Sequence, residues 1–178
     1  MNDRRDTLER YGARPALLEP MHAGVQGQIL AALLTQQMID PRTGQPRAVN
    51  AFEYGAEWTP IAASAVAQIR TIQISNTHDF LAFSIVGAVR DTATFALLPN
   101  QALTLQVEAD SGNTNLTDRV QDWMNVVGTA QDPHYLPVPL FLRGGTSMTL
   151  TLNNLVATST TVRIAFVGCK VFFGPMGG

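Results

Sequence analysis

Two carboxylates, Asp118 and Asp122, stand four residues apart in the stretch TNLTDRVQDWMNVVG, with Arg119 beside the first of them. On a helix, this spacing places both acids on one face, near the separations at which glycoside hydrolases hold their two catalytic carboxyl groups. Acids at this spacing are also common on helix surfaces, where they are solvated. The pair is the only candidate for catalysis in the sequence, and we expect surface acids and a protein that is not an enzyme.

The loop before this pair, EADSGNTNLTD, is rich in oxygen atoms that could bind a cation. It contains Asp110, Asn113, Asn115 and Asp118, and calcium takes carboxylate and amide oxygens of this kind. The ligand and glycine order of an EF-hand is absent, however, and Asn and Asp also favour turns. Both readings of residues 110–118 stay open, with a simple turn favoured, and we predict no metal site.

The remaining reactive side chains are scattered along the chain. His22, His78 and His134 lie in three separate segments without metal-ligand spacing. Cys169 is the single cysteine, so no internal disulfide can form, and its apolar run VGCKVFF predicts a buried structural thiol. Gly144-Gly145 is followed by neither a helix nor Lys-Ser/Thr, which indicates a turn rather than a phosphate loop. The sequence therefore predicts no cofactor.

Trp58 and Trp123 are the two tryptophans. Exposed tryptophan rings can stack on sugars in carbohydrate-binding sandwiches, but tryptophan more often supplies buried area in a core or an interface. We expect both rings to be packed.

The composition limits the partners that the chain fits. Of its 178 residues, 46% are hydrophobic, and only 15% are charged, against roughly 25% in typical soluble domains. A surface of Thr, Ser, Asn, Gln and Ala loses little hydration free energy when subunits pack together. The net charge of −2 argues against direct binding of nucleic acid, because phosphate contacts need clustered cations. Eleven of the twelve basic residues are arginine, which favours interfaces, although GC-rich codon usage explains this bias equally well.

The N-terminus, MNDRRDTLER, carries charges of both signs and is not followed by the apolar core and cleavage site of a signal peptide. No apolar run approaches the ~20 residues that cross a bilayer. We therefore expect a protein made in a reducing cytosol, without membrane contact.

Hydrophobic residues alternate with polar residues in several runs after Phe52, among them QIRTIQIS, LTLQV, MTLTLNN and VRIAFV. The residues predicted to point inward are Leu103, Leu105, Val107, Met148, Leu150, Leu152, Val162, Ile164 and Phe166. The run FLAFSIV is apolar on both faces, as in the middle of a sandwich, whereas the proline-bounded LPVPLFL suits a sheet edge. Seven or eight strands without helix-strand alternation predict an all-β fold, an antiparallel β-sandwich of the jelly-roll kind.

One stretch within this domain has helical spacing. Leu116, Val120, Trp123 and Val127 recur at intervals of three or four residues, and Asp118 is placed to cap the turn. We expect a short helix or a structured loop between the two halves of the sandwich.

Residues 1–49 have a different character and are predicted to be an N-terminal arm containing a short helix, ahead of a β-sandwich domain over residues 50–178. Apolar positions recur near helical spacing from Val25 to Met38, and Asp40-Pro41 ends the helix. Its leucine-rich face either packs on the chain's own sandwich or docks on a neighbouring subunit. The residues predicted to make the arm's contacts are Arg4, Arg5, Arg10, Arg14, Leu30, Leu33 and Leu34.

Residues 137–172, PVPLFLRGGTSMTLTLNNLVATSTTVRIAFVGCKVF, combine a proline-bounded strand, a glycine turn, an alternating strand that ends in Asn, and a last strand that ends in Gly and a basic residue. Upstream, an aromatic stretch and a small-residue spacer lead to a strand and then to HDF. In this pattern the chain resembles, over residues 52–173, small jelly-roll virion structural proteins of tailed bacteriophages. The matching positions are Pro139, Gly144, Gly145, Leu150, Leu152, Asn153, Asn154, Val162, Ile164, Phe166, Gly168 and Lys170.

The resemblance implies a non-enzymatic protein of the phage head, either a capsid decoration or cement protein or a collar or neck subunit. It implies contacts with the major capsid protein or with portal and neck proteins, association with further copies of the chain, and a place in the virion after assembly in the host cytoplasm. The arm would anchor the subunit. A carbohydrate- or receptor-binding sandwich is the second class of function that the residues leave open.

Overall fold

The computed structural model describes residues 39–40, 44–45, 47–98, 102–109, 117 and 119–173. The predicted helix over residues 25–38 lies outside these residues. So do the arm residues Arg4, Arg5, Arg10, Arg14, Leu30, Leu33 and Leu34, and the candidate calcium ligands Asp110, Asn113, Asn115 and Asp118.

Eight strands and one short helix follow one another in the described chain. They are β1 (Val49–Ile61), β2 (Gln68–Gln73), β3 (His78–Asp91), β4 (Leu103–Ala109), β5 (Gln121–Asp122), α1 (Trp123–Val126), β6 (His134–Leu142), β7 (Ser147–Asn154) and β8 (Thr160–Phe172).

The strands form two four-stranded antiparallel sheets. The first sheet has the order β1-β8-β3-β6, and the second sheet has the order β2-β7-β4-β5. Consecutive strands alternate between the sheets except for β4 and β5, which are neighbours in the second sheet. This winding is that of a jelly roll. The predicted all-β antiparallel sandwich is therefore confirmed.

The core lies between the two sheets and follows the period-two alternation of the strands. On β7, Met148, Leu150 and Leu152 are fully buried, whereas Thr149 and Thr151 point to the opposite, partly exposed face. All nine residues predicted to point inward on β4, β7 and β8 are at most 2% exposed. Each such aliphatic or aromatic side chain contributes about 1.5–3 kcal/mol when it leaves water, so this alternation supplies much of the stability of the sandwich.

The order of the strands also agrees with their composition. The doubly apolar β3 lies between β8 and β6, and the proline-bounded β6 lies at the edge of the first sheet, as predicted. The Gly144-Gly145 turn is confirmed too: Gly145 has a φ of +83°, and its N–H donates to the carbonyl of Ile74 at 3.1 Å. A positive φ of this kind favours glycine.

Strand β1 was not predicted from the sequence. It pairs with β8 in continuous register from Val49↔Val171 to Trp58↔Val162. Its residues do alternate, with Phe52, Tyr54, Ala56 and Trp58 on one side and Glu53, Gly55 and Glu57 on the other, so the sequence carries a period-two signal that could have predicted this strand. Its pairing with β8 supplies backbone hydrogen bonds that do not depend on that pattern.

The helical expectation for residues 116–127 is only partly right, because α1 is a single turn. Gln121 and Asp122 instead pair with Leu105 and Thr104 as strand β5, and Val120 is 43% exposed. Asp122 precedes the helix but makes no side-chain capping hydrogen bond. Pairing with β4 therefore overrides the local helical spacing.

Candidate interaction surfaces

Among the described residues, the side chains that the sequence suggested for catalysis or metal binding do not lie close together. Asp122 is exposed on β5. His78 is the first residue of β3, whereas His134 pairs with Ile85 further along the same strand, which separates the two histidines by roughly 23 Å along the strand direction. Among the residues that the structure describes, no three His, Cys, Asp or Glu side chains are grouped so as to hold a metal ion.

Cys169 and the two tryptophans are buried and have packing roles. Cys169 is 6% exposed, and burial raises the pKa of its thiol to about 12, so the thiolate needed for nucleophilic attack is not available at neutral pH. Trp58 and Trp123 are 1% and 5% exposed, and the Trp58 indole donates to the carbonyl of Gln68 at 3.0 Å. The expected packed roles are confirmed, and neither ring forms a sugar-stacking platform.

His78 lies in a hydrogen-bonded cluster at one end of the sandwich. Its Nε2 lies 2.8 Å from the hydroxyl of Tyr54, and its Nδ1 lies 3.0 Å from the hydroxyl of Thr77. Burial lowers the pKa of His78, as does the nearby charge of Lys170, while Asp79 opposes this effect. The imidazole is therefore kept neutral near pH 7, and it joins β3 to β1.

The outer face of the second sheet is polar and almost uncharged. It carries Ile69, Thr71, Gln73, Thr104, Gln106, Glu108, Asp122, Thr149, Thr151 and Asn153. Glu108 and Asp122 are the two charged residues among them, and the Glu108 carboxylate accepts a hydrogen bond from Gln106 at 2.7 Å. Such a threonine- and glutamine-rich face agrees with the expectation from composition that charge is scarce on this surface.

The outer face of the first sheet is different, because one half of it is a second apolar cluster. This outer cluster consists of Val49, Leu81, Phe83, Cys169 and Val171, with Phe141 packed against it. Its members are at most 8% exposed. Register explains their meeting, since Val49 pairs with Val171 and Leu81 pairs with Cys169. The apolar character of β3 on both faces was the sequence signal for this cluster.

The other half of the same face is an open depression of about 670 Å³. Its lining includes the small residues Gly55, Ala88 and Ala165. At its rim, the Arg163 guanidinium contacts both carboxylate oxygens of Glu57, at 3.1 and 3.2 Å. The depression thus combines an apolar floor with one exposed ion pair.

The edge formed by β1 and β2 is closed in one part and open in another. The Trp58 indole donates to the backbone of β2, and Arg70 Nε donates in return to the Glu57 carbonyl at 2.9 Å. The Phe172 N–H donates to the Ala48 carbonyl, so the backbone groups of Ala48 point toward β8. Along an antiparallel strand the backbone groups of successive residues point alternately toward and away from the partner strand. The backbone N–H and C=O groups of Ala51, Glu53 and Gly55 therefore point away from β8. Among the described residues, no strand other than β8 pairs with this section of β1, which we call its open section and which can accept another strand.

Three loops meet at one end of the sandwich, which we call the loop end: residues 62–67, 92–98 and 155–159. Backbone hydrogen bonds join them, from Ser64 to Val156 at 3.0 Å and from Thr92 to Ser159 at 3.3 Å. The large apolar side chains that the loop end exposes are Val66 (64%), Phe95 (66%), Leu97 (60%) and Leu155 (55%). Grouped exposed apolar residues of this kind mark interaction sites.

No helix in the described part of the chain is both long and apolar enough to cross a membrane.

No protein-family model matches the chain, and no curated protein matches it. Among solved structures, it is similar to a chain of the cyanophage Pam1 capsid asymmetric unit, with 15% identity, a TM-score of 0.39 and coverage of 71% of this chain and 86% of that one. It is also similar to a chain of the nora virus structure, with 13% identity, a TM-score of 0.29 and coverage of 74% and 62%. These TM-scores are low, and the jelly-roll assignment is made from the strand order.

Proposed function

We propose that this chain is a non-enzymatic structural protein of a bacteriophage virion, and specifically a decoration or cement protein that stabilises the capsid through subunit contacts. The observation that carries the proposal is the loop end. Four large apolar side chains there are more than half exposed on a chain with only 15% charged residues. A surface of this kind suits permanent contacts between subunits.

The open section of β1 supports the same role. A free strand edge pairs readily with another chain unless it is short, charged, bulged or covered. The edges at β5 and β6 are protected, because β5 has two residues and β6 carries prolines. β1 has thirteen residues, and its open section has neither the shortness of β5 nor the prolines of β6. In a closed, symmetric assembly such an edge becomes a contact.

The N-terminal arm completes the proposed set of contacts. Arg4, Arg5, Arg10 and Arg14 anchor the subunit by binding carboxylates on the major capsid protein, for which arginine has a suitable fork of donors. Further copies of the same chain are the second partner. The protein acts in the virion, after assembly in the host cytoplasm, and it needs no cofactor and no direct contact with nucleic acid.

The proposal is tested by quantitative mass spectrometry of purified virions of the phage that encodes the chain. Hundreds of copies per particle are expected for a decoration protein that occupies the capsid lattice. About a dozen copies would replace this role with the alternative, a collar or neck subunit arranged around the portal axis. Absence of the chain from complete particles would overturn a virion role.

Substitutions at the loop end test the surface itself. Phe95→Ser with Leu97→Ser is expected to lower the copy number per particle, because it removes apolar contact area from the interface. Thr149→Ser, on the outer face of the second sheet, is the control and should leave the copy number unchanged. Equal incorporation of both variants would show that the loop end is not the contact surface.

A carbohydrate- or receptor-binding sandwich is the weaker alternative. Trp58 and Trp123, the rings that would have stacked on a sugar, are both in the core.

A further inference from the structure

The outer cluster is buried on a side of the sandwich where burial is unexpected. Val171 is fully buried, and Leu81 and Val49 are 2% and 5% exposed, yet all three lie on the face of the first sheet that points away from the second sheet. The strands of the described chain form two layers, so no third strand layer among them covers this face. In an antiparallel sandwich such a face is ordinarily polar and solvated, as it is on the second sheet here.

The chain enters the sandwich beside this cluster. Just before β1 it makes a tight turn, in which the Asp40 N–H donates to the Gln45 carbonyl at 2.9 Å and the Gly44 N–H donates to the Asp40 carbonyl at 2.8 Å. Arg47 then contacts Asp79 at 3.2 Å, and Val49 is itself a member of the outer cluster. The 38 residues that precede Ile39 therefore join the described chain at a point within reach of the cluster.

Those residues contain an apolar surface that matches the cluster in size. Residues 25–38 carry six apolar residues of helical spacing, namely Val25, Ile29, Leu30, Leu33, Leu34 and Met38. A helix of this length extends about 21 Å, and four strands span roughly 14 Å between the outermost strand axes. One such helix therefore crosses the sheet. The polar residues Gln28 and Thr35 fall on its opposite side, whereas Gln26 and Gln37 fall on the apolar side, near the two ends of the segment.

We propose that residues 25–38 form an amphipathic helix that lies across the outer face of the first sheet of the same chain, with Leu30, Leu33 and Leu34 against the outer cluster. The helix forms a third layer, and its packing on the first sheet attaches the arm to the sandwich. Residues 1–24, with their four arginines, then remain to contact neighbouring subunits. This packing of the helix on its own sandwich does not depend on a virion role, and its test needs only the isolated full-length chain.

Cys169 makes the proposal measurable, because the only cysteine of the chain belongs to the outer cluster. In the full-length chain the triple variant Leu30→Glu, Leu33→Glu and Leu34→Glu should dislodge the helix, since three carboxylates cannot remain buried in an apolar contact. The rate at which Ellman's reagent modifies Cys169 should then rise at least about tenfold, because modification requires the buried thiol to become accessible. The matched control, Gln28→Glu with Ala31→Glu and Thr35→Glu, adds the same charge on the opposite face and should leave the rate unchanged.

Tryptophan fluorescence separates loss of the helix from loss of the sandwich, because Trp58 and Trp123 are both in the core between the sheets. Faster modification with unchanged emission supports the proposal. Unchanged modification with unchanged emission overturns it, because the cluster would then be protected by something else.

A disulfide test decides the case in which the leucine variant loses its native emission. Leu33→Cys in the full-length chain places a second thiol on the proposed contact face, and mild oxidation should link it to Cys169 within one chain. Thr35→Cys on the opposite face should not form this link. Mass spectrometry without reduction distinguishes the outcomes. A disulfide between two chains, or no disulfide, would contradict the packing of the helix on the outer cluster of its own chain.

Discussion

The hydroxyl of Tyr54 on β1 lies 2.8 Å from Nε2 of His78 on β3, so a side-chain hydrogen bond joins two strands that are separated by β8 in the first sheet. The same hydroxyl accepts a hydrogen bond from the Ser75 backbone N–H at 3.4 Å, and the Tyr54 ring contacts Phe80 edge-on, with centroids 4.8 Å apart. This cluster fastens the end of the sandwich where β3 begins, and it contains the buried histidine of the described chain.

Stability should fall as the pH is lowered because of His78. The pKa of His78 is lowered in the folded protein from its ordinary value of 6.5, so the unfolded chain binds a proton at a pH at which the folded protein does not. The free energy of unfolding should therefore be constant above about pH 7, decrease as the pH falls below 6.5, and level off once the pH is below the folded pKa.

Urea unfolding at a series of pH values, with the wild type and with His78→Gln, measures this effect. The glutamine variant is less stable at every pH because it loses the ring, but its stability should decline less between pH 7 and pH 5, since glutamine does not titrate. The same decline in both proteins would mean that other groups cause the pH dependence.

The two ion pairs of the described residues should differ in their contribution to stability. The side chains of Arg47 and Asp79 are only 10% and 8% exposed, and Asp79 also accepts a hydrogen bond from the Gly144 N–H at 2.9 Å. Asp79→Ala leaves a buried guanidinium without this carboxylate and should cost about 3–5 kcal/mol. Glu57→Ala breaks the exposed pair with Arg163 and should leave the urea midpoint nearly unchanged. Equal shifts would contradict the burial of the Arg47–Asp79 pair.

Leucines inside and outside the core provide a matched comparison. Leu150 is fully buried between the sheets, whereas Leu155 at the loop end is 55% exposed. Leu150→Ala should lower the free energy of unfolding by about 2–5 kcal/mol, through lost burial and a residual cavity. Leu155→Ala should lower it by less than about 0.5 kcal/mol. Thermal or urea unfolding of both variants checks this, and a small effect at Leu150 would be incompatible with the jelly-roll core.

The open section of β1 should be needed for contacts with other subunits but not for folding. Because alternation directs the Glu53 N–H away from β8, Glu53→Pro removes a donor that the sandwich itself does not use. We expect it to retain the native fold by circular dichroism and to lose incorporation into particles. Glu53→Ala keeps the N–H and should incorporate normally. If the proline variant is incorporated as well as the alanine variant, no partner strand pairs with β1.

The period-two runs on β4, β7 and β8 determined most of the fold at the level of sequence. An alternation such as that of Met148, Leu150 and Leu152 has one stable arrangement, with its apolar side against another sheet. The turn at Gly144-Gly145 and the edge position of β6 also followed from residue types, because glycine and proline restrict the backbone directly. The sequence likewise indicated that Cys169, Trp58 and Trp123 would be packed.

The tertiary structure alone decided which strands are neighbours and therefore which surfaces exist. β1 alternates between aromatic residues such as Tyr54 and polar residues such as Glu53, but only the structure shows that β8 is its partner. Val49 and Leu81 share the outer cluster, and Tyr54 meets His78, only because β1, β8 and β3 lie in that order and register. Local periodicity specifies which side of a strand is apolar. It does not specify the strand's partner, because pairing joins residues that are distant along the chain.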